Sequence, residues 1–178
     1  MKEIVRFLDK TAYEKKKKKI KNHYTGTNWD GDRWYYHKEV SKIAEKLDID
    51  SPSDVLELGS LGMQIVENSD TMDYDKHWKM QGIESTYNWD VRETPWPVED
   101  NRYKLLISLR VWQHLGEYQE IALKEAMRIS EYVLLVIPFT YPNNKGMTKD
   151  MIESMIKPNI LLKYKELKNN GLYLIKRK

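Results

Sequence analysis

The chain has 178 residues, with 30 Lys and Arg against 27 Asp and Glu, 40% hydrophobic residues and no cysteine. This length fits one domain over residues 1–178, long enough to bury most of its apolar surface. The lack of cysteine excludes disulfides, thiolate nucleophiles and Cys-ligated zinc, and a net charge of +3 is too small to argue for nucleic acid.

No run approaches the ~20 apolar residues needed to cross a bilayer, and the opening MKEIVRFLDK lacks a signal peptide's apolar stretch. A cytoplasmic location is the simplest reading. The charge is unevenly spread, about +4 over residues 1–50, about −7 over 51–142 and about +6 thereafter. An acidic middle lies between two basic ends. The unbroken run Lys15–Lys19 reads as a solvated helix face, or else as a contact for a polyanion or membrane surface.

In chain order, residues 2–21 read as a charged helix with a weak apolar stripe of Ile4, Val5, Leu8, Ala12 and Ile20. A loop rich in turn formers and aromatics follows over 22–33, then a helix over 34–47 and a loop around Pro52. These first 50 residues form an N-terminal helical cap on a core of residues 51–178. Residues 54–58 are a short apolar run ending at Gly59, as expected of a buried strand leading into a turn. Residues 69–73 form another short strand, and 86–89 a segment ending at Asp90. Residues 103–109 and 132–138 are buried strands flanking an amphipathic helix over 116–130, which makes a parallel, right-handed βαβ unit. The tail holds a helix over 148–156 and strands over 160–167 and 172–176, with Asn170-Gly171 as the hairpin-turn signal. The expected fold is α/β, a doubly wound and mostly parallel sheet with an antiparallel last strand.

In such sheets a ligand sits beyond the carboxyl ends of the strands. The residues there are Glu57-Leu58-Gly59-Ser60-Leu61-Gly62-Met63 after the first strand, Asp73, Asp90-Val91, and Ser108-Leu109-Arg110. Gly59 allows close backbone approach to a ligand, and Glu57 either organises the loop or meets a cation. No G-K-[ST] and no G-x-G-x-x-G is present, which argues against a phosphate loop and against NAD. A carboxylate at the end of the second strand, Asp73, suits the two hydroxyls of a ribose.

Taken together, Glu57-x-Gly59, Asp73, Asp90 ahead of Pro95-Trp96-Pro97, and Ser108 through Val111-Trp112-Gln113-His114-Leu115 resemble the class I S-adenosylmethionine-dependent methyltransferases, especially small bacterial enzymes acting on sugars and cell-envelope glycans. The resemblance spans residues 54–139. It implies a seven-stranded Rossmann-like sheet and S-adenosylmethionine as cofactor. By similarity Gly59 and Ser60 hold its methionine end, Asp73 the ribose and Asp90 the adenine amine, while Ser108, Leu109 and Arg110 face the sulfonium and the acceptor. Two features depart from the family. The second and third glycine positions of its first motif are Leu61 and Met63, and only about ten residues separate Gly59 from the second strand, which leaves no room for the usual first helix.

The chain has four histidines, His23, His37, His77 and His114, and a histidine has the pKa to take a proton near neutrality. His114, just after the fourth strand, is either a base near the acceptor or a capping residue; His37 lies in the N-terminal segment that would cover the cleft. Tyr24, Trp29, Trp34 and Tyr35 in that segment, with Arg110 and Trp112, are candidates to bind the acceptor, because aromatic rings with polar edges suit flat sugar or adenine faces. No metal set stands out, so none is expected. The reading is O-methylation of a sugar, glycan or other small hydroxyl acceptor with a His base, and nucleic acid is not an expected partner. The alternatives are a domain that kept the fold and lost catalysis, and an RNA-directed methyltransferase.

Overall fold

The computed structural model describes residues 4–23, 33–74, 84–139 and 146–178. Its first helix, α1 (Lys10–His23), starts later than expected. Asp9 caps it by accepting from the Ala12 backbone N–H at 2.7 Å. Ahead of that cap the chain is extended and pairs instead. Phe7 bridges antiparallel to Val66, Leu8 N–H donates to Ile65 O at 2.7 Å, and Glu67 N–H to Arg6 O at 2.9 Å. Ile4, placed in the apolar stripe by periodicity, is 80% exposed. Helix α2 (Trp34–Ala44) ends three residues early and unwinds through a turn over 45–47.

Seven strands follow, β1 (Val55–Leu58), β2 (Asp70–Asp73), β3 (Tyr87–Asn88), β4 (Tyr103–Leu109), β5 (Ser130–Pro138), β6 (Ile160–Leu167) and β7 (Asn170–Lys176). They form one sheet in the order β3-β2-β1-β4-β5-β7-β6. The pairs from β3 to β5 are parallel, and β7 runs antiparallel between β5 and β6. Helix α3 (Gln119–Ile129), led in by a 3-10 turn over Gly116–Tyr118, makes the crossover from β4 to β5, and α4 (Lys149–Ile156) precedes the final hairpin. β1 is buried along its whole length, as a central parallel strand with both faces covered must be.

The strands divide their side chains by the period of two. Leu56, Leu58, Leu106, Val133, Leu135 and Ile137 face α3 and α4, in a core with Trp96 and Trp112. Val55, Leu105, Ile107, Leu134 and Val136 face the helices α1 and α2, meeting Tyr13, Tyr36, Val40 and Ile43. The N-terminal helices therefore form one layer of the sandwich, and the start of α2 reaches the carboxyl ends of the strands.

The final hairpin turns on Lys168 and Asn169, with Lys168 at φ +55, and not on Asn170-Gly171. Gly171 lies inside β7, paired with Ile137 and Glu166. A Cβ at Gly171 would come within 2.5 Å of the Tyr173 ring, so glycine is required there for packing and not for the turn. Among the described residues no helix is long and apolar enough to cross a membrane.

Candidate functional site

The strand order reverses between β1 and β4, and a cavity of 440 Å³ opens beside their carboxyl ends. This size lies in the ~300–1,000 Å³ range of small-ligand pockets. Glu57, Gly59, Ser60, Asp73, Asp90, Val91, Leu109, Arg110, His37 and His114 all line it. Residues from four strand ends and from α2 thus converge.

Glu57 is 2% exposed and serves the loop that follows it. Its Oε2 accepts from Ile65 N–H at 2.8 Å, while Oε1 accepts from Val66 N–H at 2.8 Å and from the Ser69 hydroxyl at 3.0 Å. Burial pushes its carboxyl up to about 7, against the pull of those three donors and of the Lys16 ammonium. No helix forms between Gly59 and β2. Gly59 takes φ +70 and donates its N–H to Met72 O at 3.0 Å, tying the loop to β2. A Cβ at Gly59 would sit 2.4 Å from Val111 Cγ2. Leu61, at the family's second glycine position, keeps the left-handed backbone with φ +50; Met63, at the third, is a core residue.

Asp73 ends β2, 5% exposed, and its Oδ2 has no hydrogen-bond partner. Burial raises its carboxyl to about 7, with Leu61 N–H acting against the rise and the Glu57 charge adding to it. The Ser60 and Ser108 hydroxyls are likewise buried without partners. Ser108 stands behind the lining, and Leu109 and Arg110 reach it. Asp90 is paired to Arg92, its Oδ1 accepting from Arg92 N–H at 3.0 Å and Nε at 2.9 Å. That pairing lowers its pKa and occupies the carboxylate that the resemblance assigns to an adenine amine.

His37 is 2% exposed and donates from Nδ1 to Arg33 O at 2.8 Å, which leaves the lone pair on Nε2. Burial pushes it down to about 4, so the ring is neutral at physiological pH. His114 is exposed at the rim. Of the expected acceptor-binding aromatics, the described ones, Trp34, Tyr35 and Trp112, are not on the lining. Trp112 is 1% exposed in the core and donates its indole N–H to Gln119 O at 3.1 Å. Tyr35 accepts from Asn170 Nδ2 at 2.6 Å, and Trp34 packs on Tyr13 at 5.3 Å. Tyr24 and Trp29 lie outside the described residues.

Residues unmarked by the motif reading also line the cavity, notably Arg33, Tyr36, Trp89 and Gln113. Gln113 lies inside the recognised Val111–Leu115 run, so its sequence position carried a signal. Tyr36 lay in the aromatic segment expected to cover the cleft, whereas Arg33 carried no signal, because only tertiary packing brings the start of α2 to the strand ends. Among the described residues no group of three or more His, Cys, Asp or Glu could hold a metal.

No protein-family model matches the sequence, and no curated protein does. Solved structures do match. A SAM-dependent methyltransferase from Aquifex aeolicus aligns over 90% of this chain and 98% of its own, at 13% identity and TM-score 0.59. Magnesium protoporphyrin IX methyltransferase from Synechocystis, solved with bound SAM, aligns over 92% and 97%, at 12% identity and TM-score 0.55. An rRNA methylase from Escherichia coli aligns over 91% and 70%, at 13% identity and TM-score 0.62. The fold is that of the SAM-dependent methyltransferases. The narrower likeness to sugar and glycan enzymes gains no support, since the acceptors named among these neighbours are an rRNA and a porphyrin. For the same reason, setting nucleic acid aside as a partner is not supported.

Proposed function

We propose that this chain is a SAM-dependent methyltransferase acting on the hydroxyl oxygen of a small or glycan-linked acceptor. The observation that carries the reading is Asp73, a buried strand-end carboxylate with an unpartnered oxygen on the lining of the cavity. Burying that charge is unfavourable unless a ligand's donors complete it, and paired ribose hydroxyls would do so. Ser60 adds a second buried polar atom without a partner beside Gly59, where the methionine end would lie. Asp90 and Val91 would border the adenine, and Leu109 and Arg110 the reacting end. When bound, the cofactor supplies an electrophilic methyl group carried on a sulfonium.

The chain's own part is to position and to accept a proton. His37 Nε2 carries a free lone pair because Nδ1 is committed to Arg33 O. Its low pKa suffices, because a hydroxyl oxygen gaining a methyl group becomes strongly acidic and gives its proton to a weak base. His114 at the rim is the second candidate base.

Calorimetric titration with S-adenosylhomocysteine tests the cofactor, followed by a screen of hydroxyl acceptors for methyl transfer. Micromolar binding supports the reading. No binding at millimolar ligand would leave a domain with the fold and without the activity, as the non-glycine Leu61 position allows. An RNA acceptor is the second reading, favoured by the lysines of α1, of which Lys15, Lys18 and Lys19 are exposed. RNA binding that weakens steeply with salt would support it.

A further inference from the structure

Among the described residues, three on the cavity lining carry a buried side-chain oxygen without a hydrogen-bond partner: Ser60, Asp73 and Gln113. The first two fall at the proposed methionine and ribose positions. Gln113 has no part in that assignment. It is 4% exposed and sits in the 3-10 turn Trp112–His114, just past the end of β4. The turn is tied down from several sides. Arg110 N–H donates to Val136 O at 2.7 Å and His114 N–H to Val111 O at 2.8 Å. The Trp112 indole N–H donates to Gln119 O at 3.1 Å, and Gln119 Nε2 returns a bond to Trp112 O at 3.1 Å. Gln113 Nε2 donates to Arg110 O. A carbonyl oxygen only accepts, so this bond fixes which way round the amide lies and leaves Oε1 as the open acceptor. A buried acceptor left unmet costs free energy, and the pinned turn keeps the amide from turning to find a partner inside the fold.

The place of this atom follows from the strand order. Asp90 follows β3, Asp73 ends β2 and Gly59 follows β1, so the proposed cofactor runs along the sheet toward β4. Val111 packs on Gly59, where a Cβ would lie 2.4 Å from Val111 Cγ2, so the turn after β4 borders the reacting end. Resting on the methyltransferase reading, we infer that Gln113 determines specificity: its Oε1 accepts from a second hydroxyl of the acceptor, which makes the acceptor a diol or polyol and not a lone alcohol or phenol. An ether, a carbonyl or an ionised acid in the same place would set lone pairs against Oε1 and leave it unmet. The hydroxyl that takes the methyl group must lose its proton, and an amide oxygen is too weak a base to remove it. The bond to Gln113 therefore belongs to a hydroxyl that survives the reaction.

The test measures methyl transfer from S-adenosylmethionine to matched acceptors: catechol with phenol, vicinal cyclohexanediol with cyclohexanol, and methyl glucoside with its deoxy analogues. Values of kcat/KM are compared for wild type, Gln113→Met, Gln113→Ala and, as a control off the cavity, Glu117→Gln. Thermal melting checks that each variant folds, and calorimetry follows S-adenosylhomocysteine binding. The expected result is a wild-type preference of at least about tenfold for a diol over its partner lacking the second hydroxyl. That preference falls below about threefold in Gln113→Met and Gln113→Ala and is kept in Glu117→Gln, with S-adenosylhomocysteine affinity within about twofold of wild type throughout. A wild type that binds S-adenosylhomocysteine and shows no diol preference, or methylates none of the diols, overturns the inference whatever the variants do. So does a preference that survives in Gln113→Met. A loss of S-adenosylhomocysteine affinity in Gln113→Met beyond about tenfold also overturns it, and would assign Oε1 to the cofactor's ammonium group. Failure of S-adenosylhomocysteine to bind the wild type overturns the methyltransferase reading itself.

Discussion

Replacing Asp73 by Asn should stabilise the free protein while weakening cofactor binding. Burial lifts the Asp73 carboxyl from 3.8 to about 7. At about 1.36 kcal/mol per pKa unit, the ionised side chain costs the folded state about 4 kcal/mol once pH exceeds 7. The sign follows from proton counting. Between pH 3.8 and about 7 the folded protein holds a proton that the unfolded chain has lost, so this residue's contribution to stability falls as pH rises through that window. The amide of the Asp73→Asn variant does not titrate and has no such slope. Urea unfolding of both proteins at about pH 5 and pH 8 should show the variant's advantage growing with pH, a difference that includes the relief of the repulsion between Asp73 and Glu57. Binding moves the other way. Charge-assisted bonds to ribose hydroxyls are worth about 1.5–3 kcal/mol, so the variant should bind S-adenosylhomocysteine about 10–100-fold more weakly at pH 8. Wild-type affinity should fall as pH drops below 7 and approach the variant's flat line near pH ~5, where about 1% of the carboxyl is ionised. Equal affinities at pH 8, or a wild-type affinity that ignores pH, would refute the assignment of Asp73 to the ligand.

Three further outcomes follow from the same geometry. Glu57→Gln turns an amide donor toward the N–H of Ile65 or Val66, so it should cost about 1–3 kcal/mol in denaturant unfolding and speed amide exchange at those two residues. Unaltered exchange there would contradict the loop-holding role. Gly59→Ala places a methyl against Val111 Cγ2 and strains φ +70, for about 2–4 kcal/mol in all; adding Val111→Ala should recover the steric part and leave about 1 kcal/mol of backbone strain. A double variant as unstable as the single would refute that partition. His37→Gln should lower kcat with little change in S-adenosylhomocysteine affinity, and because His37 sits near 4 the wild-type kcat should show no histidine inflection between pH 6 and 8. A kcat that survives the substitution would remove His37 from the chemistry.

The sheet was legible because its strands are short apolar runs bounded by turn residues, and because β4, α3 and β5 form a βαβ unit whose handedness and direction follow from general rules. The candidate cofactor residues were legible for a related reason. They are strand-end residues, and β1, β2 and β4 were placed within a residue of their true ends. The acceptor side was not. Trp112 and Tyr35 carry the ring-plus-polar-edge character of ligand contacts, yet their polar edges are spent inside the fold, on Gln119 O and on Asn170. An aromatic residue alone does not say whether its partner will be a ligand or the backbone. Arg33 was invisible as a site residue because its place on the lining depends on the angle at which α2 meets the sheet.

The shortened loop after β1 connects stability with function. A helix there would have held its own backbone bonds; the ten-residue loop satisfies its N–H groups elsewhere. Ile65 and Val66 donate to Glu57, and the carbonyl of Ile65 and the N–H of Glu67 pair with Leu8 and Arg6 ahead of α1. Residues 4–9 are thus extended for a reason that helix periodicity could not contain: they close the loop. The buried Glu57 carboxylate is the anchor of that arrangement, and Asp73 beside it remains incompletely bonded. Two buried acids on neighbouring strands repel each other, but one is satisfied by the loop and the other has an oxygen left for a ligand. On the proposed function, that division gives Glu57 to folding and Asp73 to binding. It predicts that substitutions at the first act on stability and at the second on affinity, even though both side chains line one cavity.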